Sequence, residues 1–107
     1  MTNIDPILNM LTRGLTHSFQ RQRLLASNIA NAETPGYERK DVDAPNFAQI
    51  MSDANAQAEG APHVVKGGPV VLEKEFAASS ANSLYYATLA RLASARMRMA
   101  ELAIRGR

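Results

Sequence analysis

The sequence predicts a mainly α protein: long N- and C-terminal helices packed as a coiled-coil-like pair, with an irregular loop and short-strand segment between them. Three observations carry this. Apolar residues recur in alternating steps of three and four at both ends of the chain. Alanine is the most frequent residue of the hydrophobic 46%, with no Trp and only three Phe and three Tyr, so there is little aromatic area for a deep globular core. The stretch between the ends gathers the prolines and glycines. At 107 residues the chain is one domain, read as an N-terminal helix over 1–32, a turn and irregular middle over 33–79, and a C-terminal helix over 80–107.

The first helix starts at Asp5-Pro6, with Asp as N-cap and Pro at the first helical position. Ile4, Leu8, Leu11, Leu15, Ser18, Gln22, Leu25, Ile29 and Ala32 then form a seam that is polar only at Ser18 and Gln22. Phe19 stands beside that polar gap and is expected to cover it. Gly14 lowers helix propensity by about 1 kcal/mol, so this helix depends on a neighbour.

The middle differs in kind. Residues 46–56 read as a short helix with Asn46 as N-cap and Phe47, Ile50, Met51 and Ala54 on one face. Residues 59–72, EGAPHVVKGGPVVL, read as loop or a short irregular hairpin, because Pro69 weakens any strand it enters. In the last segment, Ala81, Tyr85, Thr88, Leu92, Ala95, Met99 and Leu102 make a second seam, flanked by Leu89, Arg96 and Ala103. The interspersed alanines let a neighbour approach closely. Two such helices leave part of each apolar stripe uncovered, and ordering each residue costs about 1–2 kcal/mol. The chain is therefore expected to complete its core with other subunits.

Charge is segregated. Residues 33–82 carry four basic side chains against eight acidic ones, whereas 83–107 carry five arginines against Glu101. Cysteine is absent, which excludes disulfides and thiolate metal sites. His17 and His63 lack ligand-like company and read as solvated or partly packed. Asp41 and Asp43 lie in the charged run YERKDVD and read as solvated. No nucleophile stands beside a base and an orienting acid, and Gly67-Gly68-Pro69 fits a turn rather than a phosphate loop. No catalytic residue, cofactor or metal is expected. There is no apolar run of membrane-spanning length and no pattern of a cleavable signal peptide at MTNIDPILNM.

Residues 27–37, SNIANAETPGY, are the most informative stretch. Asn28 and Asn31 lie three apart on one side of the helix end, where their amides can serve frayed carbonyls or another chain. Pro35 biases Thr34 out of the helix. Thr34-Pro35-Gly36-Tyr37 has the Pro-Gly centre of a type II turn, with Gly36 supplying the positive φ. Tyr37 leaves the turn able to clamp it to the helix surface.

LASNIANAETPGYERKDVD resembles the N-terminal signature of the flagellar axial proteins, the rod and hook subunits: Ser27, Asn28, Ile29, Ala30, Asn31 and Ala32 ending a helix, then Thr34, Pro35, Gly36 and Tyr37. With FAASSANSLYYATLARLASA near the other end, it looks most like the proximal branch of the basal-body rod proteins. The resemblance covers residues 8–47 and 74–105. The "EEMV" and "RAYQAN"-like elements of other rod and hook proteins are missing, and the middle is short for the branch. It implies a structural subunit of the bacterial flagellar basal body, needed for flagellum assembly and motility. It also implies export through the flagellar type III channel without a cleaved signal, and a place in the periplasmic rod. Implied partners are copies of itself, other rod proteins, the FliE-type ring–rod adaptor, the export gate and the membrane ring, with no nucleic acid. Subunit packing is expected to fall on Leu8, Leu11, Leu15, Leu25 and Ile29 with Tyr85, Leu92, Met99 and Leu102, and the turn-and-clamp on Asn28, Asn31, Pro35, Gly36 and Tyr37. Two other readings compete: a small secreted helical-hairpin protein, and an arginine-rich nucleic-acid-binding module.

Overall fold

A computed structural model describes residues 5–42 and 64–106. Helix α1 spans Pro6–Ala30 and helix α2 spans Leu72–Arg105. Between them, strands β1 (Lys40–Val42) and β2 (Val64–Lys66) form a two-stranded antiparallel ribbon, pairing Lys40 with Lys66, Asp41 with Val65 and Val42 with Val64. The expected helix over 46–56 lies outside the described residues.

The start of α1 follows from its cap. The Asp5 carboxylate accepts the backbone N–H groups of Ile7 (3.1 Å) and Leu8 (3.3 Å), two of the donors a helix start leaves unpaired. Pro6 follows at the first helical position. At the other end Asn31 is the C-cap, and the chain turns at Thr34–Tyr37. There the Tyr37 N–H donates to the Thr34 carbonyl (3.2 Å) and Gly36 sits at φ 78°.

The second helix starts at Leu72, not at Ser80. Val71 provides no side-chain cap, but Glu73 and Glu75 occupy the first turn, where carboxylates favour the positive end of the helix. Pro69 and the positive-φ glycines Gly67 and Gly68 keep the preceding residues out of the helix. The sequence seam begins only at Ala81 because the first two turns are anchored by polar rather than apolar contacts.

The helices run antiparallel. Leu11, Leu89 and Ala93 form the buried apolar centre, with Leu8 and Leu15 packed against it, and Leu25 is buried nearer the turn end. Ser18 and Asn82 meet midway along the pair, and Arg96 reaches the Asp5 carboxylate (2.8 Å) at the start of α1. Beyond Arg96, α2 runs past the described start of α1, and its last turns are exposed. No helix of the described residues is long and apolar enough to cross a membrane.

The face of α2 turned to α1 is displaced from the expected seam. Its buried residues are Glu75, Asn82, Leu89 and Ala93, one position away from the line through Tyr85, Leu92, Met99 and Leu102. Those four are 38%, 50%, 60% and 60% exposed. Alanines on several sides make the apolar arc of α2 wide, and polar side chains select which part of it meets α1. Phe19, expected to cover the polar gap of α1, is 55% exposed instead, because Asn82 fills that gap.

Candidate functional site

The end of α1, the turn and β1 are joined through Asn28, which is 0% exposed. In the ribbon, Arg39 donates its N–H to the Gly68 carbonyl (3.1 Å) and accepts from the Gly67 N–H (2.9 Å). The next residue, Lys40, points its backbone groups the other way, toward the open strand edge. Asn28 meets them there: its Oδ1 accepts the Lys40 N–H (2.9 Å) and its Nδ2 donates to the Lys40 carbonyl (2.7 Å). The side-chain amide thus acts as a strand partner for a single residue and closes the edge.

Both remaining positions of that amide are also used. The Tyr37 hydroxyl donates to Oδ1 (2.9 Å) and Nδ2 donates to a Glu75 carboxylate oxygen (3.1 Å). Two donors face the oxygen and two acceptors face the nitrogen, so the orientation of the amide is unambiguous. Ser27 Oγ lies 3.1 Å from the Tyr37 hydroxyl and, with the phenol proton committed to Asn28, donates to it. Asn31 has a different task. Its Nδ2 donates to the Ser27 carbonyl (2.9 Å), which also accepts the Asn31 backbone N–H (3.0 Å), and its Oδ1 accepts from the Thr34 hydroxyl (3.1 Å). Tyr37 also carries the Lys40 ammonium over its ring, 5.7 Å from the centre.

Sequence reasoning missed the ion pairs behind this cluster. Glu75, 1% exposed, is held by the Arg39 guanidinium as well as by Asn28. Arg39 also pairs with Asp41 (3.0 Å), and Asp41 receives both Arg21 Nε (3.0 Å) and Arg21 Nη2 (3.2 Å). Asp41 is therefore paired and not solvated. Burial pushes its carboxyl up, but the Arg21 fork, the Val42 N–H and Arg39 outweigh that and hold it below the ordinary carboxylate range. Burial lowers the basicity of Arg39 while its bonds to Glu75 and Asp41 raise it above normal on balance. The alternation of signs through Arg21, Arg39 and Asp41 was visible in the sequence, but the i to i+20 and i to i+36 separations hid the pairing. Asp43 lies outside the described residues.

The other expected residues are spread over this end and the helix faces. Ile29 and Ala32 are half-buried; Ala30, Thr34, Pro35 and Gly36 are exposed. A Cβ added at Gly36 would meet nothing within 4 Å, so the turn is open to the outside. Leu11 and Leu25 are core, Leu8 and Leu15 flank it, and the α2 residues lie on its outer face. His17 is half-buried, and its Nε2 has no partner among the described residues. No group of three or more His, Cys, Asp or Glu side chains among those residues is placed to hold a metal ion. The arrangement is a helix end pinned by hydrogen bonds beside a long exposed helix face.

The family model described as "Flagella basal body rod protein" matches residues 8–37, the helix, the turn and its tyrosine. The flagellar basal body rod protein FlgB of Escherichia coli (strain K12) is 37% identical over 65 residues, 61% of this chain and 45% of that protein. FlgB of Yersinia enterocolitica is 34% identical over 61 residues, 56% and 44% of the two chains. This chain resembles FlgB. FlgB of Cereibacter sphaeroides extends the likeness to 70 residues at 34% identity, 64% of this chain and 55% of that one. The matches span about half the length of these relatives. The family match ends at Tyr37, and the Asn28 amide is one of the points where the matched segment is tied to the rest of the fold.

Proposed function

We propose that the chain is a structural subunit of the bacterial flagellar basal-body rod, of the proximal, FlgB-like type, and not a catalyst. Its terminal helices and the segment between them act as one unit that assembles with copies of itself and with other rod proteins. The ring–rod adaptor of FliE type, the export gate and the membrane ring are its further neighbours. The chain reaches the periplasmic rod through the flagellar export channel without losing a signal segment, and flagellum assembly and motility depend on it.

The observation that carries this reading is the match over residues 8–37 to the rod-protein family together with what those residues build: a helix end locked by Asn28, Asn31 and Tyr37. Further support comes from α2. Its seam residues Leu92, Met99 and Leu102 sit on an exposed face, as a subunit that completes its core by association requires. A contact between two different faces of identical subunits that does not close into a ring grows into a helical assembly.

The test is electron microscopy of basal bodies purified from a strain lacking the gene. Membrane rings without a rod, restored by the wild-type gene, are expected. Complete rods and hooks in the deletion strain would overturn the reading.

A further inference from the structure

The outer face of α2 carries a second pattern beside its apolar seam. Arg91, Arg98 and Arg105 recur at intervals of seven and are all exposed. At about 1.5 Å per residue they stand about 10.5 Å apart in a row along the helix. Arg105 meets Glu101 (3.1 Å), an exposed pair within one turn, while Arg91 and Arg98 make no ion pair with a described residue. The fourth arginine of this region, Arg96, faces the other way and is spent on Asp5. Arg91 and Arg98 border a shallow groove floored by Ala90, Ser94 and Ala95, where small side chains let another backbone come close. Leu92, Met99 and Leu102 continue the apolar surface alongside.

We propose that this face docks an amphipathic helix from a different protein, one whose apolar stripe is flanked by a row of carboxylates at heptad spacing. The row of arginines drifts by about 20° per heptad on a straight helix, the drift a left-handed supercoil removes, so the partner helix wraps at a shallow crossing angle. Charge decides against the helices of a second copy of this chain. Helix α1 contains no Asp or Glu, and α2 contains only Glu73, Glu75 and Glu101, of which Glu75 is buried. Neither helix offers a carboxylate row: of the exposed glutamates of α2, Glu73 lies in line with Arg91 but stands alone there, and Glu101 is already paired with Arg105, so two α2 faces laid together leave most of the arginines unmatched. A nucleic acid fits less well, because the arginines border an aliphatic seam and no aromatic side chain stands between them for base stacking. The proposal rests on the chain being an assembly subunit and adds the chemistry of one heterologous neighbour.

The test uses the full chain and a synthetic 21-residue helix with leucine at a and d and glutamate at the flanking positions, labelled for fluorescence anisotropy. A second peptide carries lysine in place of glutamate. The acidic peptide binds, with a salt-dependent affinity, and the basic one does not. In the R91E/R98E/R105E variant, shown folded by circular dichroism, acidic-peptide binding falls about tenfold, three exposed ion pairs each contributing a few-fold, and the basic peptide gains. Equal loss in a control with Arg23, Lys66 and Lys74 reversed would reduce the effect to net charge and overturn the proposal. So would self-association that depends on the same arginines, or tighter binding of single-stranded poly-uridine through them. Introduced into the deletion strain, the triple variant separates the two readings. Complete rods without the gene refute the assembly role, whereas rods that need the gene but form with the triple variant refute only the acidic-helix contact.

Discussion

Replacing Asn28 by alanine removes four hydrogen bonds at once, and the structure says which groups are left without partners. The Lys40 N–H and carbonyl lose the amide that closed the strand edge, and Glu75 loses one of its donors inside the fold. Tyr37 keeps Ser27. A buried polar group left unpaired costs about 1–3 kcal/mol, and a hydrogen bond to a charged group contributes about 1.5–3 kcal/mol. Lys40 is half-buried, so water recovers part of the backbone loss and places those two groups near the lower limit. The sum is about 3–5 kcal/mol, two decades or more in the folded-to-unfolded ratio at about 1.4 kcal/mol per decade. Asn31→Ala, which removes a side-chain bond to a Ser27 carbonyl that keeps the backbone N–H of residue 31, should cost only about 0.5–1 kcal/mol. Urea unfolding followed by far-ultraviolet circular dichroism measures both. If the two variants unfold within about 0.5 kcal/mol of each other, Asn28 is not the joint between helix end and ribbon. Asn28→Asp sharpens the test. An aspartate can still accept from Lys40 and Tyr37 but faces the Glu75 carboxylate, so its penalty should shrink when the pH is lowered enough for the pair to share a proton.

Gly36 sits at φ 78° with open space where a Cβ would go, so substitutions there report backbone strain alone. Gly36→Ala should cost about 1–2 kcal/mol in thermal or urea unfolding, Gly36→Val more and Gly36→Asn less, with Gly36→Val abolishing swimming in a complementation assay while export persists. Removing Arg39 alone strands the buried Glu75 carboxylate and should cost about 3 kcal/mol. The pair Arg39→Met with Glu75→Leu should cost less than Arg39→Met alone, and a double-mutant cycle decides it. His17 titrates below its usual 6.5, because burial and then the neighbouring Arg21 disfavour its charge. The unfolded chain therefore binds that proton more readily, and the His17 contribution to stability falls as pH drops through about 6.5 toward the folded value. An NMR titration of the imidazole that gives a pKa at or above 6.5 would refute the placement.

The periodicity of three and four was enough to place two helices and to find Leu11 and Leu25 in the core, because those positions are apolar on an otherwise polar helix. It placed the facing seam of α2 one residue off. On that helix alanine, leucine and methionine extend around a wide arc, and apolar pattern alone does not say which side meets α1. Asn82 and Glu75 do, but each is recognisable as inward-facing only when its partner is known, and those partners are 60 or 64 residues away for Asn82 and 36 or 47 for Glu75. Local chemistry fared better. Asp5-Pro6 fixes a helix start, and Thr34-Pro35-Gly36-Tyr37 fixes a turn, because each acts within a few residues. The role of Asn28 lay between these limits. Its position at the helix end was readable, but its use as the missing neighbour of Lys40 depends on the pairing of 40–42 with 64–66, whereas the sequence points to a solvated charged run at the first and to loop or irregular hairpin only within 59–72.

The polar break at Ser18 and Gln22 shows what the mismatch between the two seams accomplishes. Asn82, 5% exposed, donates to the Ser18 carbonyl (2.8 Å) and to Gln22 Oε1 (2.8 Å) and accepts from the Ser18 hydroxyl (2.9 Å), while Gln22 donates to Ser79 (2.7 Å). A slip of α2 by one turn would separate every one of these groups from its partner, whereas leucines would slide into equivalent holes. A buried asparagine in an apolar seam trades stability for a single register. Here it also keeps the wide arc of α2 from rotating Leu92 and Met99 inward against α1. Replacing Ser18, Gln22 and Asn82 by Ala, Leu and Leu should therefore raise the thermal midpoint while degrading uniqueness. Sedimentation should show mixed oligomers, and amide spectra should broaden as alternative packings exchange. A more stable triple variant that remains a single well-dispersed species would show that the apolar contacts of Leu11, Leu89 and Ala93 suffice to set the register.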